Sequence, residues 1–523
     1  MSPLTNLETQ FTRINGGYLR GLDANVAWRK RFDPARFIGR LTKSDSTVVL
    51  IYDAIWQIFC IMEPITSPKA NQTALLEFSA ANARSYKDPV SISMEQSTSK
   101  GNFLLDVALP GGTVAHVNRV VGIFGANASG KTALLRVMGD MRMLVLTSHL
   151  RDKRDSPHSY SHSRSGISRR AFQLDPACRD KSSTYEVRLI VNGVKFDYGF
   201  EVNDEVVLQE WAHFYPKGRQ ALIFDRVGSE VKFGATDRKA SRNLLSLMKP
   251  DVLLLSLSAI VDHAALTPLL TWFRENFVIA SSHDSASRHQ FSIHLLSHEE
   301  FRQEIVDLMR AADLGISNAE IVEPDPATKE RYRRASQIML SGSDESSGGD
   351  EEFDFGFQSI RLVHEGSEGP VGLDADDESF GTLAWFGLVG PLISVLSSGA
   401  VFLVDELDTS LHPLLVRRIV GLFQDADTNP NGAQLIFNSH DASLLGDSGA
   451  NAPLTKDQVF LTEKGHDGST YLYSLASTGV RRQESASKRY LQGRYGGVPI
   501  VSGADFAVVG RRATQDSEVH SAE

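Results

Sequence analysis

Cysteine is scarce in this sequence. Cys60 and Cys178 are the only two among 523 residues, and their separation gives no paired metal-binding motif. A disulfide-rich secreted scaffold and a cysteine-based metal site are therefore excluded, and the composition fits a reducing compartment. No basic-then-apolar leader opens the sequence, so we expect a cytoplasmic protein.

Uninterrupted apolar runs and heptad repeats are also lacking. Residues 384–404 are apolar enough to suggest a membrane span, but Pro391 and Ser397-Ser398-Gly399 interrupt them. This pattern predicts a helix, a turn and a core strand, and we expect no membrane insertion. No sustained heptad pattern occurs between residues 146 and 360, which argues against long coiled-coil arms.

Positive charge is not in excess. The chain has 54 Lys and Arg against 64 Asp and Glu, a formal net charge of −10. This balance argues against a protein that coats nucleic acid through its overall field, although a local basic patch stays open. Hydrophobic residues make up 41% and charged residues 23%, as in globular proteins with a sizeable core.

A glycine-rich loop at Gly125–Thr132 stands between an apolar run, residues 120–124, and a helix-period run, residues 133–138. In a strand–loop–helix unit, backbone N–H groups and the helix dipole favour a chain of phosphates. We predict that Lys131 reaches the β- and γ-phosphates and that the Thr132 hydroxyl binds Mg²⁺. The predicted nucleotide-binding residues are Gly125, Ala126, Asn127, Ala128, Ser129, Gly130, Lys131 and Thr132. A plain glycine-rich turn is the alternative.

Two more apolar runs end in polar side chains. Residues 400–404 lead into Asp405-Glu406, and residues 434–437 lead into Asn438-Ser439-His440-Asp441. Ligand sites of parallel sheets lie at the carboxyl ends of the strands. We predict that Asp405 holds Mg²⁺, directly or through water, and that Glu406 orients and deprotonates an attacking water. His440 is placed to contact the γ-phosphate.

A second candidate phosphate site precedes another apolar stretch. Ser379 and Gly381, within Glu378-Ser379-Phe380-Gly381-Thr382, offer a hydroxyl and exposed N–H groups at a helix start.

Taken in order, these motifs resemble those of the ABC-type ATPases, and more narrowly those of bacterial AAA-family ATPases of the abortive-infection or OLD-like group. The likeness spans about residues 74–500. Further segments that carry it are 75–79, 82–86, 198–201, 405–413 and 493–499. The resemblance implies an α/β fold, a P-loop NTPase of ABC-ATPase head type, with a mixed sheet, a β-rich subdomain and a helical insertion.

The resemblance also implies that ATP is held between the two subunits of a head-to-tail homodimer. Ser379 and Gly381 then act in trans on the partner's nucleotide. Glu406 is the catalytic base, His440 the switch histidine, and Asp408 the residue that communicates across the dimer. Phe380 stands where relatives often carry a small or polar residue, and Gln173 is a candidate for the metal-sensing glutamine.

The remaining segments predict the domain organisation. Residues 1–73 are an N-terminal extension, with Met62 as an alternative translation start, and residues 501–523 are a disordered tail. The ATPase domain covers 74–500, with a β-rich and helical insertion at about 146–360 that contains an acidic, low-complexity loop at 341–354. Within the insertion, Asn192-Gly193 predicts a hairpin, residues 206–215 and 221–233 strands, and residues 241–315 helices.

Three features favour structural interpretations over chemical ones. His158 and His162 are four residues apart, but the surrounding Ser, Pro and Gly favour a solvated basic loop over a metal or nucleic-acid site. His412 is expected at a helix start rather than in the site. Gly493-Arg494-Tyr495-Gly496 is interpreted as a fold element without assigned chemistry.

The leading functional expectation is a Mg²⁺-dependent ATPase of anti-phage defence that acts through a separately encoded effector or nuclease. The alternative is a DNA repair or recombination ATPase that acts directly on DNA. An intrinsic nuclease domain is not expected, because the segment after His440 is short and only weakly acidic. An ABC transporter subunit is disfavoured by the size of the insertion.

Overall fold

A computed structural model describes residues 73–96, 103–150, 167–281, 284–312, 315–327, 358–446, 452–479 and 485–499. Four predictions lie outside these residues: the extension before residue 73, the basic loop with His158 and His162, the acidic run 341–354, and the tail from residue 501.

Strands and helices are numbered along the chain. The strands are β1 (Ala74–Ala81), β2 (Val90–Ser93), β3 (Leu104–Ala108), β4 (Val114–Asn118), β5 (Val120–Gly125), β6 (Ser183–Val191), β7 (Val194–Val202), β8 (Val207–Phe214), β9 (Ala221–Val227), β10 (Glu230–Phe233), β11 (Phe277–Ala280), β12 (Ile316–Val322), β13 (Ser359–Gly366), β14 (Gly369–Asp374), β15 (Val401–Val404), β16 (Gln434–Asn438), β17 (Val459–Lys464) and β18 (Thr470–Ser474). The helices are α1 (Lys131–Thr147), α2 (Pro176–Arg179), α3 (Arg238–Leu247), α4 (Leu254–Leu257), α5 (Thr267–Glu275), α6 (Ser285–Leu296), α7 (Glu299–Ala311), α8 (Phe380–Ser398), α9 (Pro413–Gln424) and α10 (Ala486–Leu491).

The central sheet has six strands in the order β11-β15-β16-β5-β17-β18. The first five are mutually parallel, and β18 returns antiparallel to β17. Strands β5, β15 and β16 are buried along their whole length, which explains why they are continuous apolar runs in the sequence. The carboxyl ends of β5, β15 and β16 therefore meet at one edge, as predicted.

A second, antiparallel sheet has the order β10-β9-β8-β7-β6-β1-β2. The predicted hairpin is present: Asn192 and Gly193 join β6 to β7 with positive φ angles of 51° and 76°. Two positive φ angles are the requirement of the tight turn that Asn-Gly favours. Residues 221–233 form two strands rather than one, because the chain turns at Gly228.

The stretch 241–315 is not wholly helical, and this part of the prediction is wrong. Strand β11 lies within it and pairs parallel with β15 at the edge of the central sheet. A four-residue apolar run cannot be told from a buried helical segment by periodicity alone. The predicted insertion therefore re-enters the ATPase core before α6 and α7 begin.

Two completely buried charges join the antiparallel sheet to α4. The Glu210 carboxylate accepts hydrogen bonds from the backbone N–H groups of Leu254 and Leu255, at 2.7 and 3.0 Å. Arg226 lies 3.7 Å from the same carboxylate and donates to the Val252 carbonyl at 2.6 Å. Because a buried charge is costly unless it is paired and hydrogen-bonded, these contacts fix the start of α4 against the sheet.

Helix α8 is long and apolar enough, by length and composition, to cross a membrane, and most of it is buried within the fold. Gly399 ends it with a φ of 71°, and β15 follows, so the predicted helix, turn and strand are confirmed. The Ser292 hydroxyl of α6 donates to the Phe386 carbonyl at 2.7 Å and accepts from the Gly390 N–H at 3.1 Å. A Cβ at Gly390 would lie 2.8 Å from the Ser292 Cα, so this close helix packing requires glycine.

Candidate functional site

The glycine-rich loop connects β5 to α1, as predicted. Gly130 has a φ of 112°, and a Cβ there would lie 2.4 Å from the Thr470 Oγ1. A Cβ at Gly125 would lie 2.2 Å from the Thr462 Oγ1. Both glycines are therefore required by close approach, and Gly130 also by its left-handed backbone.

Side chains from distant parts of the chain hold the loop in shape. The Thr470 hydroxyl donates to the Ser129 carbonyl at 2.9 Å, and the Tyr86 hydroxyl donates to the Gly130 carbonyl at 3.1 Å. The hydroxyl groups of Ser129 and Thr462 lie 2.6 Å apart. These hydrogen bonds from β17, β18 and the segment after β1 stabilise the curved conformation of the phosphate loop.

Lys131 at the start of α1 is buried, and its ammonium lies inside the loop. Its Nζ donates to the carbonyls of Gly125 at 2.9 Å and Ala126 at 3.0 Å. Burial lowers the pKa of Lys131 to about 8, and the carboxylates of Asp408 and Glu406 partly oppose this shift. The lysine is therefore charged at neutral pH and is desolvated before any anion arrives.

Thr132 and Asp405 lie together beside the loop. The Thr132 hydroxyl donates to the Asp405 Oδ1 at 2.8 Å, and the Asn438 amide donates to the same oxygen at 2.6 Å. Mg²⁺ is usually bound by one or two carboxylates together with phosphate oxygens and water, so this hydroxyl–carboxylate pair fits the ion. Across the described residues there is no group of three or more His, Cys, Asp or Glu side chains that could hold a metal, so the ion would depend on phosphate oxygens.

Glu406 has a left-handed backbone, with a φ of 55°. Its backbone N–H donates to the Asn438 Oδ1 at 2.6 Å, and its Oε2 accepts from the Thr409 hydroxyl at 3.2 Å. A non-glycine residue in this region costs on the order of 1–3 kcal/mol, and such strain concentrates at functional sites. The hydrogen bond to the Asn438 amide stabilises this strained turn. The turn then sets the direction of the Glu406 carboxylate.

His440 follows β16 at the same edge of the central sheet, and its backbone is hydrogen-bonded to Asp408. The His440 backbone N–H donates to the Asp408 Oδ2 at 3.1 Å. The other carboxylate oxygen of Asp408 is buried and has no hydrogen-bond partner among the described residues. Burial, and then the charge of Lys131, lower the pKa of His440, while Asp408 and Glu406 act in the opposite direction. The imidazole is therefore neutral at pH 7.

Lys131, Thr132, Glu406 and His440 line an open cavity of about 570 Å³, and Asp405 is linked to it through its hydrogen bond with Thr132. The cavity is lined by Arg84, Ser85, Asn127, Ala128, Gly130, Lys131, Thr132, Ala133, Arg136, Glu406, His440 and Lys464. The sequence motifs do not predict three of these cations, Arg84, Arg136 and Lys464. Arg84 lies in a segment that carries the family resemblance, and its guanidinium forms two 2.6 Å hydrogen bonds to Asp140. Lys464 reaches the cavity because β17 pairs with β5, which the local sequence does not indicate.

The signature residues lie elsewhere. Ser379 caps α8, with its hydroxyl accepting from the Thr382 N–H at 3.1 Å. Neither Ser379 nor Gly381 is among the described residues that line the cavity of their own chain. A Cβ at Gly381 would lie 2.8 Å from the Ser410 carbonyl, so the signature packs against the loop that follows Glu406. Phe380 beside it is 71% exposed.

Gln173 and His412 also lie outside the cavity. Gln173 is exposed, and its side-chain amide donates to the Ala171 carbonyl at 3.0 Å. Strand β11 ends beside Asp405 instead: the Asp405 N–H donates to the Ala280 carbonyl, the last residue of β11, at 3.0 Å. His412 caps α9 by accepting from the Leu414 N–H at 3.2 Å, which confirms its structural interpretation.

Comparison with known proteins identifies a family for most of the ATPase motifs. Residues 120–446 match the family model described as "AAA domain, putative AbiEii toxin, Type IV TA system". No curated protein matches the chain.

Three solved structures illustrate the structural matches. An Smc head bound to the C-winged helix domain of ScpA is 12% identical, with a TM-score of 0.34, over 76% of this chain and 97% of that chain. The SMC head domain from Thermotoga maritima is 11% identical, with a TM-score of 0.33, over 76% and 98%. The Smc head with an extended coiled coil, bound to the C-terminal domain of ScpA and derived from Pyrococcus furiosus, is 12% identical, with a TM-score of 0.32, over 77% and 97%.

The matched family range covers more than half of the chain and contains the phosphate loop, the signature, the Asp405-Glu406 pair and His440. The chain therefore belongs to this family of AAA domains and carries the phosphate loop of a P-loop NTPase.

Proposed function

We propose that this chain hydrolyses ATP with Mg²⁺ in the cavity beneath Gly125–Thr132. The observation that supports it best is a convergence of four side chains from three parallel segments of the central sheet. Thr132, Asp405, Glu406 and His440 come from different motifs along the chain and lie around the same loop. A hydroxyl, two carboxylates and an imidazole beside a phosphate loop are the groups that phosphoryl transfer to water requires.

Each group has a distinct proposed task. Lys131 and the loop N–H groups neutralise the β- and γ-phosphates, while Thr132 and Asp405 hold Mg²⁺, which supplies charge stabilisation to the phosphate oxygens. Glu406 orients the attacking water and takes its proton. The neutral imidazole of His440 donates a hydrogen bond to the γ-phosphate.

Replacing Glu406 by Gln tests the assignment of the base. The amide keeps the size of the side chain but cannot accept the proton, so we expect turnover to fall by roughly a hundredfold or more, as for loss of a general base. ATP affinity should stay near that of the wild type, because Glu406 does not hold the phosphates. Steady-state phosphate release and equilibrium ATP binding measure the two effects. Undiminished hydrolysis would remove Glu406 from this role.

The pKa of Lys131 gives a pH test. In the free protein the ammonium loses its charge as pH rises through about 8, so ATP affinity should be full below that pH. Above it, affinity should fall by up to about tenfold per pH unit, because binding must first restore the proton. Titrations between pH 6.5 and 9.5 measure the slope. Lys131→Arg, which stays charged, should remove the slope, and a wild-type affinity that is flat over this range would contradict the prediction.

We further propose that the site is completed in trans by Ser379 and Gly381 of a second copy, in a head-to-tail homodimer. Support comes from the position of the signature. Its hydroxyl and the exposed start of α8 are groups of the kind that bind anions at helix N-termini, and they do not line the cavity of their own chain. Asp408, on the loop packed against Gly381, is proposed to communicate between the two sites.

Mixing two inactive variants tests the trans arrangement. Lys131→Ala removes the phosphate-loop cation, and Ser379→Asp keeps the helix cap but places a negative charge toward the phosphate. Each variant alone should be inactive. In an equal mixture half of the dimers are mixed and each contains one intact site, so we expect about a quarter of wild-type activity. A mixture that stays inactive, with mixed dimers demonstrated by differential tags, would favour a site complete within one chain.

For the biological role we propose the ATPase component of a cytoplasmic anti-phage abortive-infection system that acts through a separately encoded effector or nuclease. The family description, which names a putative toxin of a toxin–antitoxin system, supports this role by association. The test is phage challenge of cells that carry the gene with its neighbours. Protection should be lost with Glu406→Gln, and protection that survives that substitution would separate the biological role from ATP hydrolysis.

The alternative function, DNA repair, has a test of its own. Salt-dependent DNA binding by the isolated protein would favour it.

A further inference from the structure

The hairpin formed by β17 and β18 contacts the phosphate loop at both of its ends. Thr462 on β17 pairs with Gly125 at the start of the loop, and Thr470 on β18 lies against Gly130 near its end. The two threonines share one face of the hairpin, because Thr462 pairs with Leu472 and side chains alternate along a strand. Both are buried, and neither glycine has room for a Cβ beside its threonine hydroxyl. The loop and the hairpin are therefore in direct contact.

The Thr470 hydroxyl lies near two oxygen atoms but has one hydrogen to donate. It is 2.9 Å from the Ser129 carbonyl oxygen and 2.9 Å from the Ser85 Oγ. A carbonyl can only accept, whereas a serine hydroxyl can donate or accept. Thr470 therefore donates to the Ser129 carbonyl, and Ser85 donates to Thr470. In this arrangement the carbonyl of Ser129, a residue only 2% exposed, has its hydrogen-bond partner.

The direction of the Ser129 carbonyl also determines the direction of the Gly130 N–H. The two groups belong to one peptide, which is trans and planar, so they point in opposite directions. Because Thr470 holds the carbonyl toward the hairpin, the Gly130 N–H points away from the hairpin. Gly130 lines the cavity, and its N–H donates to no other residue that the structure describes. This donor is therefore available to a phosphate oxygen.

Thr462 makes equivalent contacts at the start of the loop. Its hydroxyl is 3.3 Å from the Phe124 carbonyl oxygen, to which it donates, and 2.6 Å from the Ser129 Oγ, from which it accepts. The Phe124 carbonyl and the Gly125 N–H form one peptide, so this hydrogen bond fixes the direction of the N–H at the first loop residue.

We propose that Thr470 and Thr462 are positioning residues for nucleotide binding: their hydroxyls hold loop carbonyls toward the hairpin and thereby direct loop N–H groups toward the phosphates. The inference rests on the proposed ATPase function, because ATP is the ligand. Backbone N–H groups of such a loop surround the α- and β-phosphates, which ATP and ADP share. Loss of either hydroxyl should therefore weaken the binding of both nucleotides.

The competing explanation is that Thr470 only fills space between the hairpin and the loop. Two substitutions separate the explanations, because they remove different parts of the side chain. Thr470→Val keeps the volume and removes the hydroxyl, whereas Thr470→Ser keeps the hydroxyl and removes the methyl group. A positioning role predicts that valine is the harmful substitution, and a packing role predicts that serine is.

Thr478→Val is the matched control for loss of a threonine hydroxyl. The Thr478 hydroxyl donates to the Leu475 carbonyl at 2.7 Å, in the turn that follows β18. This hydrogen bond lies on the same terminal segment but makes no contact with the phosphate loop.

The experiment titrates the full-length wild type and each variant with ATP and with ADP in the presence of Mg²⁺. We expect Thr470→Val to raise the Kd for both nucleotides roughly three- to tenfold, as for one lost hydrogen bond, with kcat at saturating ATP nearly unchanged. Thr462→Val should act in the same direction. Thr470→Ser and Thr478→Val should change either Kd by less than about twofold.

Amide hydrogen exchange of the nucleotide-free proteins gives a second measurement. The Ser129 N–H donates to the Ala126 carbonyl at 3.2 Å within the loop, so a loosened loop should exchange this amide faster. Exchange should quicken in the peptide that contains Ser129 in Thr470→Val, and it should stay at the wild-type rate in Thr470→Ser and Thr478→Val.

Wild-type affinities and wild-type exchange in Thr470→Val would overturn the inference, and so would a greater loss in Thr470→Ser than in Thr470→Val. If Thr470→Val does not fold, Thr462→Val makes the same test at the start of the loop, and wild-type behaviour there would overturn the inference. A wild type that binds neither nucleotide would instead overturn the proposed function. Hydrogen exchange would still report whether the hydroxyls hold the loop, so the two failures are distinguishable.

Discussion

One carboxylate oxygen of Asp405 connects the parts of the site. It accepts from Thr132 at the start of α1 and from Asn438 at the end of β16, while its own backbone continues from β15. These contacts require the three strands to hold one register, in which Val404 pairs with Phe437 and Phe437 pairs with Gly122. A slip of one residue would turn Asp405 to the opposite face of the sheet and separate it from Thr132. The buried apolar strands therefore serve the chemistry directly, because their packing fixes the register.

Asn438 binds the Asp405 carboxylate and also stabilises the backbone of Glu406. Its amide nitrogen is occupied by Asp405, and its amide oxygen receives the backbone N–H of Glu406, whose φ is positive. The side chain is fully buried, and both ends of its amide have partners, so it cannot turn over without losing both hydrogen bonds. The hydrogen bond to Asn438 therefore offsets the conformational energy of the positive φ at Glu406. Asn438 is in turn held in place by its hydrogen bond to the Asp405 carboxylate.

The sequence predicted the parts of the site that follow from a local motif. It missed the parts whose position depends on which strands are neighbours in the sheet. The phosphate loop, Asp405-Glu406 and His440 each follow an apolar strand directly, so a strand followed by polar residues sufficed to place them on one edge. Lys464 reaches the same place because β17 lies beside β5, and no local pattern indicates which strands are neighbours. Strand β11 was missed for a related reason, since its four residues gain their strand character from pairing with β15 rather than from periodicity. The position of the signature away from its own cavity was expected from the family resemblance alone, because no local pattern indicates it.

The loop after Glu406 offers a physical route between the two proposed ATP sites. At one end, Asp408 accepts a hydrogen bond from the backbone N–H of His440. In the proposed mechanism, displacement of the histidine by the γ-phosphate would pull on this carboxylate. At the other end, the Ser410 carbonyl lies so close to Gly381 that even a methyl group would not fit between them. Ser410 also has a positive φ, of 63°, which is uncommon for a residue other than glycine, so the surrounding contacts must hold the turn in this conformation. In the proposed head-to-tail dimer, Gly381 faces the partner's nucleotide, and movement at one site would therefore reach the other through steric contact across a stiff turn. Coupling of this kind needs no change in charge at Asp408, because the loop transmits a displacement.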